Sequence, residues 1–375
     1  MQAVARDWLV YSLTGSSLWV SIVVSSWSVG TLIFSLVGGA TADRVNKRKL
    51  LVVGQASCAL VVLAVAGLAF ADLVMVRHLL LSTFALAALF SFVIPARRAV
   101  VSDLTPDGLL MNAMALSTAG IGLMGILSAS LGGLLIDKLS PAFAFAATAL
   151  LFVLTAWLYS RLPEVSTGPD GDTPLQQVVT EGGQYILRRP ELLSLFALEL
   201  VRVLFFQYTM LLPLAADEVY GTGGLGLGML RGARGVGSLI GSLMTAWRGG
   251  RENRYGLLLA SGGLGGLGLI LFGQTESFVL ALLALSLVAV GEYVYMITRS
   301  TLLQSVDSKR MRGRMVGFRR LVWGLRPLGG LPAGAVADAI GPLSTATLEG
   351  GIILVLFGAA ALARCWLGRR GSAEA

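Results

Sequence analysis

Eleven apolar runs, each about the length of a bilayer crossing, follow one another along this chain with mostly short polar segments between them. They fall at roughly 20–42, 50–71, 77–101, 112–136, 141–161, 191–215, 225–247, 256–273, 277–303, 314–338 and 345–367. A spanning helix needs about 20 residues. Inside hydrocarbon every backbone N–H and C=O must be bonded within the segment, and at this length only a helix achieves that. The chain therefore reads as an all-α integral membrane protein. Met1 to Thr14 is also apolar and aromatic but falls short of a span, so it is expected to be a truncated first helix. It brings the count to about twelve.

Charge agrees with this reading. Only 13% of the 375 residues are charged, against about 25% in a soluble globule. The net charge of +8 sits in the segments between apolar runs, where it sets orientation rather than forming a nucleic-acid surface. Cys58 and Cys365 lie in separate runs with neither a disulfide framework nor metal-ligand spacing. His78 reads as a helix-end residue. Gly263, Gly265 and Gly268 match a dinucleotide fingerprint letter for letter, yet no strand precedes them and the run is apolar, so the match carries no phosphate site. No metal, cofactor or enzyme chemistry is expected.

The basic residues fall on one side. If the segment Asp43–Lys49 is cytoplasmic, so are Arg97 and Arg98, Arg161, Arg188 and Arg189, Arg248, Arg251 and Arg254, Lys309 to Arg314, and Arg369 and Arg370. The opposite segments hold little beyond Arg77 and Lys138, alongside Asp72, Asp137, Asp217, Glu218, Glu276 and Asp338. That is the positive-inside pattern. It places both termini in the cytoplasm and the protein in the cytoplasmic (inner) membrane as a multi-pass protein.

The polar stretch 163–190 divides the chain into a six-helix half at 1–162 and a second at 191–375, and reads as a cytoplasmic linker. Part of it, Leu175 to Leu187, has the makings of an amphipathic surface helix. The halves repeat each other. Pro95-Ala96-Arg97-Arg98 parallels Met296-Ile297-Thr298-Arg299, and the same offset pairs Asp137 with Asp338. Corresponding segments face the same side, which defines a parallel repeat with substrate sites between the halves.

Several stretches then agree in order and spacing. They are Ala5-Arg6-Asp7-Trp8 to Ser16, the knot Gly39-x-x-x-Asp43-Arg44-x-x-Lys47-Arg48, Pro95-Ala96-Arg97-Arg98 with Asp103, and Thr301 to Asp307 with Arg312-Gly313-Arg314. Together they resemble the major facilitator superfamily of secondary transporters, in its drug- and siderophore-exporter branch (enterobactin-type). The resemblance covers essentially the whole chain. It departs at two places. Asn46 stands where the family's loop has glycine, and Ser128-Ala129-Ser130-Leu131-Gly132-Gly133 lacks the exporter motif's proline.

The resemblance implies a conformational latch made of Gly39, Asp43, Arg44, Arg48 and Asp103. Asp43 would accept bonds from a helix N-terminus in the opposite half, where the dipole favours an anion. Arg44 and Arg48 would pair with carboxylates, Asp103 among them. The second half has Trp247 in place of Asp43, so only the first half keeps the acidic latch.

Ionisable groups at membrane depth are costly and are functional-site hypotheses by default. Asp7, Glu199 and Glu292 read as the only deep carboxylates and hence as candidates for proton coupling. Glu199 and Arg202, three apart, fit a structural pair as well as substrate or proton work. Arg299 is placed near a helix end, where it can snorkel. Trp8, Tyr11, Arg202, Arg234, Tyr295 and Arg326 are candidates for the substrate cavity. The arginines outnumber the carboxylates in the second half, which favours anionic or zwitterionic amphiphiles. The expected function is export of small amphipathic compounds by alternating access with proton antiport. The alternatives are uptake or lysophospholipid flipping on the same fold, or a non-transporting membrane sensor or scaffold. The expected partners are the small-molecule substrate, protons and lipid, with the protein acting as a monomer.

Overall fold

The computed structural model describes residues 1–106, 109–163, 183–248, 254–304, 318 and 321–371. Among them are twelve helices of 13 residues or more and no strand. The first half holds α1 Gln2–Thr14, α2 Ser17–Arg44, α3 Lys47–Phe70, α4 Val76–Leu104, α5 Leu110–Lys138 and α6 Pro141–Ser160. The second holds α7 Pro190–Phe205, α8 Gly223–Arg248, α9 Arg254–Gly273, α10 Phe278–Gln304, α11 Arg326–Ile340 and α12 Pro342–Gly371. Eight helical segments are long and apolar enough on their described residues to cross a membrane. Val53, Leu60, Leu150, Leu243 and Leu362 point outward and exposed, as lipid-facing side chains should.

Local chemistry sets the helix ends. Gly15 adopts φ 63°, a left-handed conformation that glycine enters without strain, and ends α1. Ser16 then caps α2, its hydroxyl accepting the Trp19 N–H at 3.3 Å. Asn46, the residue that departs from the family loop, caps α3 by accepting the Lys49 N–H at 3.1 Å. Proline opens α6, α7 and α12, where its missing N–H costs nothing. His78 stays at a helix end, its Nδ1 accepting the Met75 N–H at 3.1 Å.

Two apolar runs differ from their expected form. The run 191–215 is not one helix. α7 stops at Phe206, and a 3₁₀ turn at Tyr208–Met210, a single α turn at Leu212–Leu214 and a π turn at Ala215–Val219 continue it. Pro213 lies within this irregular stretch, where its missing N–H and its ring disfavour a regular turn over the four residues before it. In the run 314–338, α11 starts only at Arg326, with Pro327 in its first turn, after a break at Leu325. The expected surface helix at 175–187 is helical over 183–187, and the rest of it lies outside the described residues.

The packing repeats. α2 packs on α4, and α3 on α4 and α6; six helices later α8 packs on α10, and α9 on α10 and α12. The two sets meet along α2–α11 and α5–α8, pairs that exchange under the same offset. Small residues let these cross closely. A Cβ on Gly133 of α5 would lie 2.7 Å from the Gly228 Cα of α8, and one on Gly334 of α11 would lie 2.8 Å from the Leu18 Cα of α2. Ala129, Ser130 and Gly133, from the stretch that lacks the exporter proline, thus face the other half. The glycines of the false dinucleotide match do the same within the second half: Gly265 and Gly268 on α9 admit α10.

Candidate functional site: an arginine-lined recess between helices

The break after α7 frees backbone and side chains in the middle of the second half. Around it, α7 supplies Glu199 and Arg202, α8 supplies Arg234, α10 supplies Glu292, Tyr295 and Arg299, and α11 supplies Arg326. They form one network. Glu292 is held by Arg234 through Nη2 at 2.9 Å and Nε at 3.2 Å, a two-pronged grip on both carboxylate oxygens. Arg202 reaches the same carboxylate at 3.4 Å, and Tyr208 donates its hydroxyl to it at 3.5 Å. Arg202 also donates to Glu199 at 3.4 Å, as its spacing on the helix led one to expect. Arg299 forms an ion pair with Glu199, and the indole N–H of Trp323 donates to that carboxylate at 2.7 Å. Arg202 lies over the rings of Trp323 and Tyr295 at 5.5 and 5.8 Å.

These groups border a small recess with room of about 50 Å³. Arg202, Gln207, Tyr208, Arg234, Glu292 and Arg326 all reach its wall. A second, still smaller recess, between Arg202, Glu292, Phe206, Tyr295 and Phe357, adjoins the same network. Arg326 differs from its neighbours. Among the described residues it has neither an ion-pair nor a hydrogen-bond partner. The network carries four guanidiniums, Arg202, Arg234, Arg299 and Arg326, against two carboxylates, Glu199 and Glu292. The recess is therefore lined by excess positive charge.

Asp7 lies elsewhere. It is buried in α1 and paired with Arg231 of α8, across the two halves, while Arg6 donates to it at 2.7 Å. Trp8 and Tyr11 flank this pair. The Tyr11 hydroxyl donates to Glu218 at 3.1 Å, and Trp8 packs beside Gly223. The three carboxylates read as proton candidates are thus all ion-paired to arginine. Of the cavity candidates, Arg202, Arg234, Tyr295 and Arg326 meet around the recesses, whereas Trp8 and Tyr11 sit at the junction of the halves.

The latch residues divide in the same way. Gly39, Asp43 and Arg44 lie in the last turns of α2, and their surroundings are outside the described residues. Asp103 pairs with Lys47 at 2.7 Å rather than with Arg48. Arg48 instead donates to the Ser160 carbonyl at the end of α6, at 2.5 Å. Both contacts stay within the first half. The carboxylate-to-helix-N-terminus bond expected for Asp43 is found at the other end of α2, on a different residue. Asp338 of α11 accepts the backbone N–H groups of Ser17 at 2.6 Å and Leu18 at 3.2 Å and the Ser16 hydroxyl at 2.5 Å. It anchors the second half to the positive end of α2 in the first.

Two sequence-based expectations need correction. Arg299 does not snorkel: it is buried against Glu199. Asp7, Glu199 and Glu292 are not the only deep carboxylates, because Glu349 is buried in α12, with no cation beside it among the described residues. Arg231 was also missed. It sits one turn before Arg234 on α8, and its partner lies 224 residues away, so no local pattern reveals it. Glu349 had a visible signal, as the lone carboxylate within an apolar run.

Twelve helices, two similarly packed sets of six and a charged recess buried between helices define a polytopic secondary transporter. The chain belongs to the Major Facilitator Superfamily, whose family model matches residues 2–331. It is 24% identical over 364 residues to the enterobactin exporter EntS of Shigella flexneri, covering 92% of this chain and 83% of that one. It is 27% identical over 361 residues to the multidrug efflux pump Tap of Mycolicibacterium fortuitum, covering 90% of this chain and 85% of that one. Its fold is similar to a solved structure of a mutant of the nucleoside transporter NupG, with a TM-score of 0.80 at 12% identity over 95% of this chain and 93% of that one.

Proposed function

We propose that this protein exports small anionic amphiphiles across the cytoplasmic membrane by alternating access, in antiport with protons. One observation carries the substrate class. Arg326 borders the recess with neither an ion-pair nor a hydrogen-bond partner among the described residues, beside Arg202 and Arg234, which share the single carboxylate of Glu292. A guanidinium left uncompensated at membrane depth is costly, and an anionic substrate group supplies the missing charge. Tyr208, Phe206 and Trp323 add aromatic surface for the substrate's apolar part. The direction of transport rests on similarity to proteins named as an exporter and an efflux pump.

Alternating access needs cross-half contacts that can break at each end in turn. At the end of α2 away from Asp43, these contacts are Asp338 on Ser17 and Tyr11 on Glu218. At the Asp43 end, the residues of the expected latch take the corresponding role in the opposite phase. The test is retention of matched anionic and cationic fluorescent amphiphiles in cells with and without the protein, repeated with a proton uncoupler. Lower retention of the anionic members, abolished by the uncoupler, supports the reading. Equal retention of every compound with and without the protein refutes it and favours a scaffold role.

A further inference from the structure

Among the described residues, Glu349 stands apart from the other buried carboxylates. It lies in α12, is 5% exposed, and has no ion-pair partner among the described residues. Its Oε2 accepts the backbone N–H of Gln207 at 3.2 Å, and its Oε1 has no partner. Gln207 is the first residue past the Phe206 cap of α7, so its N–H is one that the broken helix leaves free. The side-chain oxygen of Gln207 is also buried and lacks a donor. Both the free carboxylate oxygen of Glu349 and the amide oxygen of the residue that holds it are thus buried without a donor.

Among the described residues the surroundings offer no counter-charge. α9, packed along α12, carries no ionisable residue after Tyr255. Tyr255 itself lies under Arg364 of α12, 4.1 Å from ring centre to guanidinium. α7 brings Glu199 and Arg202, which are bonded to each other, and Glu191 in its first turn. α11 brings Arg326, at the recess, and Asp338, bonded to α2. Tyr208 spends its hydroxyl on Glu292. None of these bonds Glu349. An ionised carboxylate held by a single neutral N–H in a low-dielectric site is far less stable than the acid.

We propose that Glu349 is the proton-binding residue of the transport cycle and that it reports its state through the α7 break. The inference rests on the transport reading above and names its coupling site. With the distal end of the bundle closed, Glu349 holds the proton on Oε1. Deprotonation breaks that O–H bond and passes the proton to water entering by the recess, whose wall Gln207 forms. The carboxylate then draws more strongly on the free N–H groups of the break. Gln207 is followed directly by Tyr208, which bonds Glu292 within the arginine network, so a shift at the break moves the substrate site. Asp7, Glu199 and Glu292, by contrast, are each ion-paired to arginine.

Infrared difference spectra of the full purified chain between acidic and alkaline buffer provide the first test. The expected result is a carbonyl band of a buried carboxylic acid that is present in the wild type and in Glu292→Gln and absent in Glu349→Gln. A band that persists in Glu349→Gln overturns the proposal. The second test uses proteoliposomes and the compounds that the wild type moves. Glu349→Gln, which replaces a neutral acid with a neutral amide of the same shape, should fold normally and exchange substrate down its own gradient, but lose accumulation driven by a pH gradient. Accumulation at the wild-type level overturns the proposal. Glu349→Asp keeps a titrating group and should retain part of the accumulation, which separates lost coupling from a damaged fold. If the wild type moves no compound, the transport reading fails and the coupling role falls with it. If transport occurs and the band remains in Glu349→Gln, only the assignment of Glu349 fails.

Discussion

The carboxylate of Asp338, near the end of α11, accepts the backbone N–H of Ser17, the first residue of α2, at 2.6 Å. One residue of the second half thereby completes a helix N-terminus in the first. Such a bond fixes the halves together at that end and must break when it opens. Losing a helix cap of this kind costs about 1 kcal/mol, enough to shift a two-state population about fivefold. Asp338→Ala should therefore raise the fraction open at that end. A cysteine placed at Ser21, buried beneath Gly334, should react several times faster with an impermeant maleimide in Asp338→Ala. An unchanged rate would reduce Asp338 to a simple cap.

Asp43 tests the opposite end. Asp43→Asn keeps the shape and removes the charge, so expression should stay nearly intact while cycling slows. Transport at the wild-type rate in Asp43→Asn would leave the Asp43–Lys49 segment as a topology signal alone.

Asp7 and Arg231 join α1 to α8 across the halves. Removing one partner of a buried ion pair strands the other charge, at a cost of about 3–5 kcal/mol. Asp7→Asn should lower the melting temperature in detergent clearly, and the double variant Asp7→Asn, Arg231→Gln should recover much of the loss. A double variant as unstable as the sum of the two single ones would show that the residues do not interact.

Much of this arrangement is legible from residue order alone. The twelve helices follow from apolar run length, because hydrocarbon permits no other backbone solution. Glu199 and Arg202 were readable because a helical turn brings neighbours three apart together. Other features are set by partners distant in sequence. Asp7 finds Arg231, Asp338 finds α2, and Glu292 gathers Arg202, Arg234 and Tyr208 from three segments. The exchange of Lys47 for Arg48 beside Asp103 shows the same limit within a short segment. Composition names the charges there, and rotation about the helix axis decides which of them meet. An irregularity around Pro213 was open to reading, but the end of α7 at Phe206 lies before the turn that this proline disturbs, and an uninterrupted apolar run conceals it.

Arg326 carries the central claim, that an uncompensated guanidinium at the recess selects anionic substrates. The most direct measurement is the ratio of initial rates for two fluorophores of matched size, one anionic and one cationic, in proteoliposomes containing the wild type, Arg326→Ala or Arg326→Lys. The wild type should favour the anion. Arg326→Lys should keep part of that preference, because an ammonium preserves the charge but not the planar fork. Arg326→Ala should lose most of it, by about tenfold if a charged interaction of about 1.4 kcal/mol is removed. A preference for the anion that is unchanged in Arg326→Ala would contradict the account.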